Sequence, residues 1–344
     1  MSQTILIADP EPRTVASIFD AGCLAELRSL GKVVLHAEGA RLAPGDLEAA
    51  LTQASIVIGQ IDLPAERLTR MPNLKAIFNV EGNFYPNVDY LYCFEHGVHV
   101  LNASPVFATP VAEAALGMAI DLARGITDVH EAFRTGGEDW GPNSNTTAFD
   151  FTGSKVGIVG LGDLGSALRK MLVPFHCEVK VFDPWLSPRR IREQNCIPSD
   201  LDDLLSNSRI VFLFAGVTSE NQNFIDAAKL ALIPDGGVVL LMSRAAVVDF
   251  PALVRELERG RLKAGIDVFP QEPFDPSHPL RRLKGVILSS HRTGGMPSAF
   301  LNIGRLVVAD TELLLRGLPP QNCKRAERET VAQMRSRPLA NVMM

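Results

Sequence analysis

The sequence lacks the features that mark several large classes of protein. Its five cysteines are odd in number, widely spaced and without a C-x-x-C pair, which argues against a zinc site or a disulfide framework. We therefore expect no metal, free thiols in a reducing compartment and a cytoplasmic location. No stretch approaches 18 uncharged apolar residues, and the short apolar run at residues 5–8 has no basic flank. The first observation argues against a membrane span, and the second argues against a secretory signal.

An excess of positive charge is missing as well. The 34 Lys and Arg residues are outnumbered by 39 Asp and Glu, for a net charge of -5. This balance argues against nucleic acid or an anionic membrane as a partner. The 344 residues, of which 46% are hydrophobic, suffice for about two domains with full cores.

Short β-rich runs alternate with helical stretches along most of the chain. The predicted strands cover residues 5–8, 33–36, 56–59, 76–80 and 98–101, and then 156–159, 178–182, 210–214, 238–242, 264–269 and 286–289. We predict helices over residues 12–30, 88–96, 110–134 and 296–316, a loop over 135–151, and an extended or partly ordered arm from 321 to 344. Such alternation predicts an α/β fold with two Rossmann-like, doubly wound parallel-sheet domains.

A glycine-rich motif, GLGDLG, lies between a predicted strand and a predicted helix. In this position Gly160 would permit a tight turn, Gly162 would let the backbone approach a pyrophosphate, and Gly165 would let helix and strand pack closely. The phosphates would lie at the helix N-terminus, beside Asp163 and Leu164. The motif therefore predicts a dinucleotide site.

Asp183, which follows the next predicted strand, is the carboxylate expected to discriminate between NAD and NADP. It can accept both ribose hydroxyl groups and would repel a 2′-phosphate, so NAD is favoured over NADP. Arg189 and Arg190 follow shortly afterwards, which leaves a partial use of NADP open.

Polar residues lie at the ends of three predicted strands of the second series. They are Arg244, Asp267 with Glu272, and His291. Since strand carboxyl ends converge on the ligand crevice of a parallel sheet, we expect these side chains to meet there. An arginine fork can bind a carboxylate and polarise a carbonyl oxygen, and a histidine can give or take a proton near neutral pH. Taken singly, Arg244 could instead be a salt-bridge partner and Glu272 a surface loop residue.

The order and spacing of GLGDLG, SRAAVVD, DVFPQEP and HRTGG, over residues from about 75 to 316, resemble the D-isomer-specific 2-hydroxyacid dehydrogenases. The resemblance implies a flavodoxin-like substrate domain of residues 1–104 and 295–344, into which a NAD-binding Rossmann domain of residues 105–294 is inserted. It also implies a small anionic 2-hydroxy or 2-keto acid as substrate. A homodimer with the 135–151 loop at its contact is implied too.

By this resemblance Arg244, Glu272 and His291 take the catalytic positions, with His291 as general acid and base and Glu272 favouring its imidazolium form. Arg244 and His291 would also contact the substrate. The cofactor would be bound by Gly160, Gly162, Asp163, Leu164, Gly165, Asp183, Ser243, Asp267 and Gly294.

The substrate carboxylate is expected at the loop of Val80, Glu81 and Gly82, through backbone N–H groups. After this loop the chain has the extra segment 84–87, whose Phe84 and Tyr85 could face the substrate or pack under the loop. Two further departures from the family pattern are Ala245, where Gly is usual, and Ser290, where Pro is common. Ala245 would strain the backbone if its φ had to be positive.

Two other functions stay open at the level of sequence. The same broad family includes phosphite dehydrogenases, whereas formate enzymes usually carry Gln at the place of Glu272. The fold and triad also occur in corepressors that act as NAD-sensing interaction scaffolds, and the basic tail from residue 321 could then be a partner-binding arm. The substrate, the direction of the reaction and the role of the tail are not indicated by the sequence.

Overall fold

The computed structural model describes residues 3–141 and 144–333. Contacts within the chain divide it into two compact units. Unit 1 consists of the residues up to Phe107 together with those from Gly295 onward, and unit 2 is Ala108–Gly294. The predicted roles of residues 1–104 and 295–344 as substrate domain, and of 105–294 as NAD-binding domain, stay predictions.

The structure has two mainly parallel sheets with helices between their strands. The strands are β1 Thr4–Ala8, β2 Lys32–His36, β3 Ala54–Ile58, β4 Ala76–Asn79, β5 His99–Asn102, β6 Lys155–Val159, β7 Glu178–Phe182, β8 Ile197–Pro198, β9 Ile210–Leu213, β10 Val238–Leu241, β11 Lys263–Ile266, β12 Val286–Leu288 and β13 Lys324–Arg325. The helices are α1 Val15–Ile18, α2 Ala21–Leu30, α3 Pro44–Gln53, α4 Ala65–Leu68, α5 Tyr90–Glu95, α6 Pro105–Arg124, α7 Ile126–Thr135, α8 Asp163–Met171, α9 Pro188–Glu193, α10 Leu201–Asn207, α11 Ala227–Leu232, α12 Phe250–Glu258, α13 Pro297–Leu315 and α14 Arg328–Ala332.

The sheet of unit 1 has the strand order β13-β5-β4-β3-β1-β2. Its central strands β1 and β3 are buried along their whole length, because helices pack on both faces of the sheet. This explains why these strands are continuous apolar runs rather than alternating ones. The strand β13 pairs antiparallel with β5, so part of the predicted arm is a sheet edge; residues 334–344 of that arm lie outside the described residues.

The sheet of unit 2 has the strand order β12-β11-β10-β9-β6-β7-β8, and every described pair in it is parallel. The first strand of the unit, β6, lies between β7 and β9. The strands that follow β6 are added first on one side of it, as β7 and β8, and then on the other side, beginning with β9. The carboxyl end of β6 is therefore the switch point where doubly wound folds bind ligands. The predicted α/β class with two parallel-sheet domains is confirmed.

Two predicted helices are each divided in the structure. The segment predicted as one helix over 110–134 begins earlier, at Pro105, and breaks at Gly125, whose φ of 67° lies in the left-handed region. The segment predicted over 12–30 forms α1 and α2, with Asp20 as the N-cap of the second. Glycine leaves the right-handed helix without a steric penalty, and an Asp side chain caps a new helix start, so both breaks have local causes.

One described helix, α6, is long and apolar enough to cross a membrane by length and composition alone. The helix contains Glu113, Asp121 and Arg124, so it is not an uncharged apolar stretch. The helix contributes Ala112, Ala115, Ala119 and Leu122 to the core of unit 2. A buried core helix passes the same test of length and composition, and the absence of a membrane span stays a prediction.

Candidate active site

The turn between β6 and α8 has the geometry that a pyrophosphate-binding loop needs. Gly160 has a φ of 95°, and a Cβ atom there would lie 2.8 Å from the backbone nitrogen of Ala215. A Cβ atom on Gly165 would lie 2.3 Å from the carbonyl oxygen of Gly160. A Cβ atom on Gly162, in contrast, would meet nothing within 4 Å. Gly160 and Gly165 are therefore required by the fold itself, whereas Gly162 borders open space at the start of α8.

The carboxylate of Asp183 is held directly beside this turn. Its Oδ2 accepts a hydrogen bond of 2.8 Å from the N–H of Leu161, and its Oδ1 accepts one of 2.9 Å from the N–H of Trp185. A carboxylate has about four acceptor positions, so two bonds fix its orientation and leave capacity for the hydroxyl groups of a ribose. The nearby Arg189 and Arg190 pair with Glu193 on the exposed side of α9.

These features fit a dinucleotide. The open space at Gly162 lies at the N-terminus of α8, and helix N-termini attract phosphate. The fixed carboxylate of Asp183 follows the neighbouring strand β7, as ribose binding requires. Asp163 lies in the first turn of α8, and Leu164 packs partly against the core of unit 2.

The segment after β10 continues the same edge of the sheet. The hydroxyl of Ser243 donates a 2.7 Å hydrogen bond to the carbonyl of Ala215, the residue that lies against Gly160. The guanidinium of Arg244 donates to the carbonyl of Ser243 at 2.7 Å. Ala245 begins a 3-10 turn and has no positive φ, so an alanine in place of the usual glycine causes no strain.

The buried carboxylate of Asp267 organises the loop that carries His291. It accepts hydrogen bonds from the N–H of Arg292 at 3.1 Å and from the hydroxyl of Thr293 at 2.5 Å. The carbonyl of Asp267 accepts a further bond from the N–H of His291 at 2.8 Å. These bonds hold His291 at a φ of 53°, a conformation that costs energy for a residue other than glycine.

Glu272 and His291 form a direct pair. The Oε2 atom of Glu272 lies 2.7 Å from Nδ1 of the imidazole, and its Oε1 atom accepts a hydrogen bond of 3.0 Å from the N–H of Phe269. Both side chains are about two-fifths exposed, at 41% for His291 and 38% for Glu272. The carboxylate is therefore oriented by a backbone group while it orients the ring.

The charges around Glu272 favour its ionised form. Partial burial raises the pKa of this carboxyl, but hydrogen bonds from His291 and from the N–H of Phe269, with the positive charges of His291 and Arg244, outweigh it. The net effect is a pKa below the ordinary value. Arg244 is thus one of the positive charges that favour the ionised form of Glu272.

The loop that follows β4 in unit 1 carries the predicted substrate-binding residues. Val80 is buried, and the carbonyl of Glu81 accepts a 2.9 Å hydrogen bond from the N–H of Ala103. A Cβ atom on Gly82 would lie 3.3 Å from the ring of Phe107. The ring of Phe84 meets that of Tyr90 edge to face at 6.3 Å, so Phe84 packs beneath the loop.

Two side chains of these loops were missed by the sequence analysis. Thr293 binds Asp267, and Arg13 forms an ion pair with Glu81, 68 positions away. The position of Thr293, two residues after His291, was a usable signal. No local sequence pattern indicates Arg13, because its partner Glu81 lies on the loop that follows a different strand. Gly294 is the last residue of unit 2, and its contact with the cofactor stays a prediction.

The fold and the site define a dinucleotide-dependent oxidoreductase with an imidazole–carboxylate pair. The family model of the D-isomer specific 2-hydroxyacid dehydrogenase, NAD binding domain, matches residues 116–293. The glyoxylate reductase of Thermofilum pendens is 31% identical over 266 residues, which are 75% of this chain and 77% of that protein. The hydroxyphenylpyruvate reductase of Plectranthus scutellarioides is 30% identical over 274 residues, covering 79% and 85%.

A solved structure is similar over nearly the whole length. The crystal structure of a phosphoglycerate oxidoreductase from Rhizobium etli is 44% identical, with a TM-score of 0.86 and coverage of 95% of this chain and 100% of that one. The chain belongs to the D-isomer specific 2-hydroxyacid dehydrogenase family. It is an NAD-dependent oxidoreductase that interconverts a 2-hydroxy acid and a 2-keto acid by hydride transfer.

Proposed function

We propose that His291 is the general acid and base of this reaction, paired with Glu272. The observation that carries the proposal is the 2.7 Å contact between Nδ1 of His291 and Oε2 of Glu272. This contact occupies Nδ1, and within the described residues Nε2 has no hydrogen-bond partner. Nε2 is therefore the atom that would protonate the C2 oxygen of a 2-keto acid, or accept the proton of a 2-hydroxy acid.

Arg244 would bind the substrate and polarise its carbonyl. One of its N–H groups donates to the carbonyl of Ser243, which anchors the guanidinium and leaves further donors of its planar fork. Such donors can stabilise the negative charge that develops on the C2 oxygen. The backbone N–H groups of Val80, Glu81 and Gly82 are proposed to bind the carboxylate of the substrate.

The cofactor would be held by the glycine turn and by Asp183. Gly162 leaves space for the pyrophosphate, and the carboxylate of Asp183 would accept the ribose hydroxyl groups. When bound, NADH supplies the hydride. Ser243, Asp267 and Gly294 complete the proposed cofactor site; Asp267 would do so while it holds the His291 loop.

The substrate is proposed to be a small anionic 2-keto acid. Two relatives at 30% identity or above are named as reductases of glyoxylate and hydroxyphenylpyruvate, and a similar solved structure is named as a phosphoglycerate oxidoreductase. Oxidation of NADH and NADPH should be followed with glyoxylate, pyruvate, hydroxypyruvate, phosphohydroxypyruvate and hydroxyphenylpyruvate. Turnover of at least one with NADH is expected. Absence of turnover with all five would contradict the proposal, and phosphite with NAD, or NAD-dependent capture of a protein partner, would then be measured.

A homodimer is proposed through the outer face of α7. Ile126, Val129 and Phe133 on this helix are more than half exposed, and Trp140 beyond it is 79% exposed. The helix has no buried residue and borders an open groove of about 600 Å³. A second copy of the same face would cover these side chains by a two-fold contact. Light scattering after size-exclusion chromatography should give a dimer, and Phe133→Glu should shift it to a monomer; a monomeric parent chain would refute this proposal.

The five cysteines are all free thiols, which supports the proposed cytoplasmic location. Neither nucleic acid nor a membrane surface is proposed as a partner. Cell fractionation followed by immunoblotting tests both statements, since recovery in the membrane or nucleoid fraction would contradict them.

A further inference from the structure

The loop after β12 keeps His291 in a backbone conformation that this residue does not favour by itself. Its φ of 53° lies in the left-handed region, where the Cβ atom of any residue but glycine crowds the following carbonyl oxygen. The loop must therefore be held by contacts whose combined strength exceeds this strain. The position of the imidazole depends on the same contacts, because the ring is carried by the strained residue.

The loop is bonded to Asp267, which directly follows β11. The N–H of Asp267 donates a 3.0 Å hydrogen bond to the carbonyl of Leu241 on β10, and its own carbonyl accepts a 2.8 Å bond from the N–H of His291. Asp267 is only 2% exposed. The strained residue is therefore joined directly to a buried residue that the sheet holds in place.

The carboxylate of Asp267 makes the remaining bonds to the loop. Among the described residues it forms no ion pair, and each of its oxygens accepts one hydrogen bond. Oδ1 accepts from the N–H of Arg292 at 3.1 Å, and Oδ2 accepts from the hydroxyl of Thr293 at 2.5 Å. A buried carboxylate without a counter-ion depends on such donors. The bond from Thr293 is the shorter one, and it is the one that a side chain of the loop makes.

We propose that Thr293 is a positioning residue for His291. Its hydroxyl holds the carboxylate of Asp267 in the plane in which Oδ1 meets the N–H of Arg292, and the two bonds together keep the backbone of His291 left-handed. In this conformation Nδ1 of the ring lies 2.7 Å from Oε2 of Glu272. The inference rests on the proposed role of His291. It predicts that loss of the hydroxyl slows turnover without weakening cofactor binding.

The test compares Thr293→Val, which removes the hydroxyl and keeps the size of the side chain, with Thr293→Ser, which keeps the hydroxyl. In Thr293→Val the kcat for the 2-keto acid that the parent chain reduces best should fall about tenfold, because catalysis is sensitive to displacements of an ångström or less. KM, and the Kd for NADH from fluorescence titration, should change about threefold at most. Thr293→Ser should keep kcat within about threefold of the parent value, since its hydroxyl can still donate to the carboxylate.

The same change in a His291→Ala background shows whether Thr293 acts through the imidazole. If it does, Thr293→Val should alter the residual kcat of His291→Ala less than about threefold, because the group that Thr293 positions is gone. A further loss of about tenfold in this background overturns the proposal. A fall in kcat that comes with an equal rise in the Kd for NADH also overturns it, because Thr293 would then support the cofactor site as a whole.

Thr127→Val is the matched control within unit 2. The hydroxyl of Thr127 donates to Oδ2 of Asp121, and its N–H donates to Oδ1 of the same carboxylate. This exposed pair repeats the contacts of Asp267 at the start of α7, so its loss should leave kcat at the parent value. A fall of less than about threefold in Thr293→Val, or an equal fall in Thr127→Val, overturns the proposal.

If Thr293→Val does not fold, Thr293→Ala makes the same comparison, because it removes the hydroxyl without placing a methyl group against the carboxylate. Two measurements separate this inference from the proposed function. If the parent chain reduces no 2-keto acid, or if His291→Ala keeps the parental kcat, the proposed function fails. If the parent is active, His291→Ala is impaired and Thr293→Val has the parental kcat, only the role of Thr293 fails.

Discussion

The loops that follow the carboxyl ends of the strands are held by different kinds of contact in the two sheets. In unit 2 the turn of Gly160 is locked by backbone packing, and the loop of His291 is tied to Asp267 by two side-chain hydrogen bonds and one backbone bond. In unit 1 the contacts of the loop of Glu81 include the backbone bond from Ala103, the ion pair with Arg13 and the packing of Phe84 on Tyr90.

This difference matches the work proposed for each edge. Proton and hydride transfer need groups placed within a fraction of an ångström, and the dense network of unit 2 provides such placement. Binding of substrates with different side chains needs loops that vary. The family model correspondingly covers residues 116–293, which all lie in unit 2. The proposed roles therefore assign the reaction to unit 2 and the choice of substrate to unit 1.

The strongest test of this difference between the units is to remove the proposed reacting group of unit 2. His291→Ala should lower kcat by about 10²–10⁴-fold, the usual contribution of a general acid or base. The Kd for NADH should stay unchanged, because the glycine turn and Asp183 do not contact this ring. Stopped-flow and steady-state kinetics measure the first effect, and NADH fluorescence titration measures the second.

His96→Ala serves as the control for loss of an imidazole. His96 is exposed and stacks on Tyr92 in unit 1, and it belongs to neither the proposed catalytic nor the proposed cofactor residues. Its turnover should equal that of the parent. A His291→Ala protein that keeps near-parental rates across the 2-keto acid panel would remove His291 from the mechanism.

A second variant tests whether unit 2 also determines the preference for NADH over NADPH. Asp183→Asn keeps the size of the side chain and one acceptor oxygen but removes its charge. Loss of a charge-assisted hydrogen bond should weaken NADH binding by about 10–100-fold, from about 1.5–3 kcal/mol. NADPH binding should improve at the same time, because the carboxylate no longer repels the 2′-phosphate. Fluorescence titrations with both cofactors measure the change.

Asp235→Asn is the matched control for the loss of a carboxylate in unit 2, since Asp235 is an exposed partner of Arg261. Its Kd for both cofactors should stay that of the parent. Equal NADH affinity in Asp183→Asn and the parent would show that Asp183 does not bind the ribose.

The same comparison explains how much the sequence could predict. The strands β1, β3, β4, β9 and β10 are buried along their whole length, and most of the other strands also contain short apolar runs, so a local pattern predicts nearly all of them. The glycine turn is indicated by its own local pattern, whereas the roles of Glu272 and His291 are what the resemblance to the family implies. The antiparallel strand β13 could not be found, because two residues carry no periodic pattern. The pair of Arg13 and Glu81 joins distant strand connections, so only the folded chain brings them together.

The smallest expected effect concerns the stability of the Glu272–His291 pair. The pKa of Glu272 is lower in the folded chain than its ordinary value of 4.5, so folding favours the ionised carboxylate. Its stabilising contribution is complete above the ordinary pKa and is lost as the pH falls through the lowered one. Glu272→Gln should therefore lower Tm by about 1–3 °C at pH 7, a small change because the side chain is partly exposed to solvent. The difference from the parent should shrink as the pH falls below the ordinary pKa of Glu272.

Thermal unfolding followed by circular dichroism between pH 3 and pH 8 measures this dependence. Glu258→Gln is the control, because Glu258 is exposed at the end of α12 and should show no pH-dependent difference. A Tm difference that is equal at pH 3 and pH 7 would mean that Glu272 contributes by packing and neutral hydrogen bonds. The tight positioning assigned to unit 2 would then depend on the Asp267 network alone, since the charge of the Glu272–His291 pair would add nothing to it.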